Sequence, residues 1–100
     1  MRKQKPEIDK TQAAINRGAR AKALIEDELL NEALDNLKEQ YIGAWSLTSP
    51  LQTDVRERLW QAVQVVGKVR DHLTVVLNDG KIAQAEVNRM VEAEKTKKGR

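Results

Sequence analysis

The side chains that could do chemistry are few, and their spacing argues against it. His72 is the one histidine. A zinc-type site needs a second good ligand one helical turn away or on another element. Asp71 adjoins His72 but projects elsewhere, and Lys68, one turn back, repels a cation. His72 is therefore expected beside an apolar seam, at the surface or half-buried, with no metal. The carboxylates Glu26, Asp27, Glu28, Glu32, Asp35 and Glu39 cluster in sequence. A catalytic pair needs a cleft and environments that drive the two pKa values apart. Positions 28, 32, 35 and 39 instead follow a heptad along one helix face. That is the pattern of a solvated acidic stripe, or of one that meets a basic partner.

Thr48 and Ser49 have no partner base, Gly80-Lys81 lacks the glycine-rich phosphate loop, and the chain has no cysteine. A thiolate nucleophile, a thiolate zinc site and a disulfide framework are all excluded. The expectation is a protein that is not an enzyme: no catalytic residue, no cofactor and no small-molecule substrate.

One hundred residues make at most one modest domain. Small domains keep much of their surface wet. Aromatic residues are only Tyr41, Trp45 and Trp60, and much of the apolar content is alanine. A lone copy would have a thin core, which a second copy or a partner covering one helix face would complete. No apolar run is long enough to span a membrane. The basic start, MRKQKPEIDK, has no apolar segment of the secretory kind, so a cytoplasmic location is expected.

Charge is segregated along the chain. Residues 1–22 sum to +5, 23–48 to −5, 49–80 to zero and 81–100 to +3, giving the net +3. Segments of opposite sign can dock on one another, within a chain or between copies. The basic ends are candidate phosphate contacts: Arg2, Lys3, Lys5, Arg17, Arg20 and Lys22 at one end, Lys95, Lys97, Lys98 and Arg100 at the other. Such contacts would grip nucleic acid or an acidic protein surface without sequence preference. No aromatic residue is interleaved with them, so base stacking is not expected. The competing reading is that lysine-rich ends simply keep a soluble protein dispersed.

The elements behind these residues are all helical. Residues 1–6 read as a disordered tail, 7–95 as a single helical domain and 96–100 as a basic tail. Residues 7–26 are rich in alanine and favour a helix, with Gly18 a weak spot worth about 1 kcal/mol. Asp27 suits an N-cap, so the chain either restarts at 26–28 or runs straight through. From about 29 to 45, Leu30, Leu34, Leu37, Tyr41 and Ala44 alternate in steps of four and three, with Leu29, Ala33 and Trp45 widening the stripe. Pro50 breaks the helix. Thr53 or Asp54 is then expected to cap a helix over about 54–77, with Asp54–Glu57 in the form of a capping box.

That helix carries the clearest pattern in the chain. Val55, Leu59, Ala62, Val66, Val69, Leu73 and Val76 repeat in steps of four and three without exception. Such a period drives coiled-coil-like packing. The short break at 46–53 makes 29–45 and 54–77 antiparallel neighbours. Trp60 falls off the seam, and Gly67 either admits a second backbone or is merely tolerated. Asn78-Asp79-Gly80 reads as a helix stop with Gly80 in a left-handed cap, and a third helix is expected from Lys81 to about Lys95. The fold class is thus all-α: a helical hairpin with flanking N- and C-terminal helices, bundle-like. The seam closes either on the chain's own hairpin or between copies, and a homo-oligomer is favoured. Trp45 and Trp60 are the candidate partner anchors, because tryptophan dominates interface hot spots.

The run from Arg20 to Leu30, then Tyr41-Ile42-Gly43-Ala44-Trp45, Arg56-Glu57-Arg58-Leu59-Trp60, Val69-Arg70-Asp71-His72-Leu73 and Gly80-Lys81 resembles a group of small helical proteins encoded by tailed bacteriophages and prophages. The resemblance spans roughly residues 20–82 and carries over no activity and no site residue. It implies a bacterial or virion setting among genes for particle assembly or DNA packaging, and an assembly or accessory factor is expected. A DNA-packaging or regulatory protein, of the small terminase kind, is the alternative.

Overall fold

The computed structural model describes residues 6–98, and the side chains of 9–96. Three helices are present: α1 (Pro6–Ile25), α2 (Glu28–Ser46) and α3 (Thr53–Lys98). The fold is all-α. The chain forms two compact units, one of residues up to Ala23 with those from Thr74 onward, the other Leu24–Leu73.

The chain restarts between α1 and α2. Asp27 takes an extended conformation and its carboxylate accepts from the Leu30 amide at 2.8 Å. This satisfies one of the amides that a helix start leaves unpaired. The Asn31 side-chain amide donates to the Ile25 and Asp27 carbonyls at 2.8 and 3.0 Å, tying the bend to the first turn of α2. After α2, Thr48 Oγ1 donates to the Trp45 carbonyl and the Ser49 amide donates to Gln52 Oε1. The α3 helix begins at Thr53, with Asp54 already in its first turn. The cap position therefore falls at Gln52, one residue before the two expected candidates.

The long helix corrects a second expectation. Asn78-Asp79-Gly80 does not end it, Gly80 has no positive φ, and no separate helix starts at Lys81. The four-three stripe runs on through the apparent stop: Val76 is followed by Gly80, Ala83, Val87 and Met90 at the same steps. Gly80 and Ala83 are buried on it, and Val87 is half-buried. Glycine here is a contact position, and burial against α1 outweighs the roughly 1 kcal/mol that glycine costs inside a helix. Helix also continues past Lys95 to Lys98, over the first part of the expected tail. At the other end Pro6 is helical rather than part of a tail, a position where its missing amide proton costs nothing. The rest of the expected N-terminal tail lies outside the described residues.

In the first unit α1 runs antiparallel to the later part of α3. Gly18 and Gly80 are both buried and meet backbone to backbone. A Cβ built on either would lie 2.8 Å from the other's Cα, and one on Gly80 would also lie 3.0 Å from the Ala14 carbonyl oxygen. Ala21 and Ala83 are buried beside this crossing. Gly18 is thus the counterpart of Gly80 and not a weak spot. In the second unit α2 packs against the first part of α3, with Leu34 and Val66 buried between them. Arg70 reaches Asp35, and Arg56 lies over Trp45, so the two strands of this hairpin run antiparallel.

The two kinds of helical glycine predict opposite effects. Gly67 has open space around its Cβ position, so Gly67→Ala should stabilise the fold by up to about 1 kcal/mol. Gly80→Ala should destabilise it by about 1–3 kcal/mol through overpacking, despite alanine's better helix propensity. Chemical denaturation followed by circular dichroism reads both; a Gly80→Ala variant more stable than the parent would refute the crossing.

Candidate binding surface

Within the second unit, the expected seam is only partly covered. Val66 is buried and Leu59, Ala62 and Leu73 are half-buried, but Val55 and Val69 remain 41% and 42% exposed. A straight helix with about 3.6 residues per turn drifts away from a 3.5 repeat. The covered line therefore shifts toward Arg56, Val63 and Arg70, all half-buried. Val76, the last seam position, is half-buried in the other unit.

Two polar anchors hold the covered side. The Arg70 guanidinium donates to Asp35 Oδ1 at 2.7 Å and to the Asn31 carbonyl at 3.1 Å. The Arg56 guanidinium sits 4.0 Å from the Trp45 ring centroid and donates to Thr48 Oγ1 at 2.7 Å. One arginine thereby fastens the last turn of α2, the connection and the first turn of α3. Neither anchor was apparent from the sequence. The available signal was that Arg56 and Arg70 sit two heptads apart, on the same α3 flank as Val63. Asp35 thus has a cation partner, and the other members of the acidic cluster are exposed on the surface.

The two tryptophans do come together: Trp45 and Trp60 line one shallow groove with Thr53, Arg56 and Glu57. Leu47 and Leu51, in the connection beside it, are 88% and 91% exposed. Gly67 is exposed and meets no second backbone. His72 is exposed on α3. Among the described residues no group of three or more His, Cys, Asp or Glu side chains is placed to hold a metal ion. No helix of the described residues is long and apolar enough to cross a membrane.

The basic candidates are scattered. Arg17, Arg20 and Lys22 are exposed on α1. On a wheel of about 3.6 residues per turn, Lys10 and Arg17 share one edge of the buried stripe, Lys22 lies on the other side and Arg20 is on the outer face. Lys10 and Arg17 line a groove that also contains Asp79. Lys95 is exposed near the end of α3, and Lys97 and Lys98 are its last helical residues. Arg2, Lys3, Lys5 and Arg100 lie outside the described residues. Comparison with known protein families, with curated proteins and with solved structures returns no match.

What these surfaces offer is contact. Among the described residues, the buried hydrophobics are Ala21, Leu34, Val66 and Ala83, while fifteen larger ones, Leu29 and Trp60 among them, are exposed.

Arg56→Ala should cost about 0.5–2 kcal/mol, from the cation–π contact and the bond to Thr48 together. It should also raise acrylamide quenching of tryptophan fluorescence, since Trp45 loses its cover. Unchanged quenching with unchanged stability would show that this anchor contributes nothing in solution.

Proposed function

We propose that this protein acts by binding and has no chemistry of its own. It is a self-associating helical protein, an assembly or accessory factor of the phage or prophage type. The observation that carries this reading is the apolar imbalance: among the described residues four hydrophobic side chains are buried, while fifteen of the size of valine or larger are exposed. With so few apolar side chains buried, an isolated chain gains little stability from its own core. Association covers the exposed stripes and supplies the missing burial. The phage setting rests on the sequence resemblance alone.

A second reading, a DNA-binding packaging or regulatory protein, has support of its own. Lys10 and Arg17 form an exposed basic edge on α1, with Arg20 farther round its outer face, and each phosphate they neutralised would steepen the salt dependence of binding. Asp79 in the same groove offsets part of that charge, so the edge offers few contacts.

Sedimentation equilibrium over a concentration series tests the first reading. The expected mass is at least twice 11.3 kDa, and a monomer at millimolar concentration would refute self-association. Filter binding to duplex DNA across a salt series tests the second. Its expected signature is affinity that falls about 0.9 log units per log unit of salt for each phosphate contact; no retention at low salt rules it out.

A further inference from the structure

The exposed apolar residues of the hairpin unit are not scattered. Arg70 of α3 bonds to Asn31 and Asp35 of α2, so the flanks of the two helices that carry these residues lie on one side of the hairpin. On a wheel of about 3.6 residues per turn, Leu29, Ala33, Leu37 and Ala44 fall on the opposite flank of α2, across the buried Leu34. Ala62, Val65 and Val69 fall on the opposite flank of α3, across the buried Val66, with Val55 near that edge. All but Ala62 of these are exposed, Leu29 by 73% and Val65 by 56%. Two half-stripes therefore make one largely apolar face on the side away from the salt bridge, with Arg58 its one ionised member.

We infer that this face is the seat of a second copy of the chain, which lays its own hairpin across it to close a four-helix core. The inference rests on the self-association reading and specifies its surface. Three observations argue for a copy as the occupant. First, the face is large enough. The 19 residues of α2 make it about 28 Å long, and two helix diameters make it about 20 Å wide. That is roughly 550 Å² in projection and more in accessible area, near the 800 Å² or so that each partner of a stable complex covers. Second, it is complementary to itself in shape, being two antiparallel helices with small and medium side chains. A two-fold axis lets the same patch meet its twin.

Third, charge selects one orientation. The α2 half of the face has no ionised residue; Asn36 and Gln40 are its polar members, and the acidic edge of Glu32 and Glu39 lies just beyond. The α3 half carries Arg58 between Val69 and Val65 on the wheel, toward the connection, with His72 beyond Val65 and Lys68 at the outer edge. Placing α2 of one copy over α3 of the other, with the axis along the helices, brings Lys68 to the acidic edge. Placing like helices over one another would oppose acid to acid and base to base, which is destabilising. In the hairpin, Arg70 is level with Asp35 and Arg56 with Trp45. By interpolation Val65 is level with residues 38 and 39, about 2.4 Å along the axis from Leu37 at about 1.5 Å per residue, so these two side chains should meet across the interface.

Sedimentation of the full chain and two variants tests this. Val65→Asp places an unpaired carboxylate in the face and should weaken association on the order of 100-fold. Ile82→Asp alters an exposed residue of the other unit and should leave association unchanged. Wild type that dimerises but ignores Val65→Asp, or that dissociates with Ile82→Asp instead, would overturn this face and leave self-association standing. A monomeric wild type would remove both. Cross-linking covers the case in which Val65→Asp fails to fold. The chain has no cysteine, so Leu37→Cys and Val65→Cys variants can be oxidised separately and as an equal mixture. The mixture should form the heterotypic disulfide at least about tenfold faster than either forms its homotypic one; the reverse ranking would overturn the orientation.

Discussion

The approach of α1 to α3 at Gly18 and Gly80 constrains the unit these helices form. A single methyl group on either residue would stand 2.8 Å from the opposing Cα, so the helix axes can come this close only because both positions lack side chains. Ala14, Ala21 and Ala83 continue the same economy on either side. Packing of this kind gains many short-range dispersion contacts from little side-chain area. It leaves the larger apolar residues, Ile82, Met90 and Val91 among them, outside the contact.

The hairpin unit answers the same shortage differently. Leu34 and Val66 are buried there, and polar anchors frame them. Asp27 and Asn31 hold the entrance of α2, Arg70 joins its first half to α3, and Arg56 clasps the connection against Trp45. Each such contact is worth only about 0.5–2 kcal/mol. Their placement matters more than their strength, because all of the interhelical ones lie on one side of the helix pair. The opposite side is left apolar and uncovered, and the proposal of a binding role begins there.

The repeat of Val55 to Val76 located the helix, but the covered line runs closer to Arg56, Val63 and Arg70 and leaves Val55 and Val69 exposed. Its continuation through Gly80, Ala83, Val87 and Met90 was hidden by Asn78-Asp79-Gly80, three residues that together look like a helix stop. Local propensity argued for termination there. Burial of Gly80 against Gly18, a contact between residues 62 positions apart in the chain, argued for continuation and prevailed. The restart at Asp27 shows the converse: its cap is a local bond to Leu30, and the sequence offered that cap beside the alternative of an unbroken helix.

By itself the sequence determined the all-α class, a candidate cap at Asp27, the break around Pro50 and the positions of the apolar stripes, because each depends on interactions within a few residues. It also determined that core material would be scarce. The tertiary structure alone decided that Gly18 pairs with Gly80, that Arg56 and Arg70 become anchors, and that the half-stripes of α2 and α3 fall on the same side of the hairpin. Those outcomes depend on which flanks of distant helices meet, and helical periodicity leaves that rotation open until the helices pack.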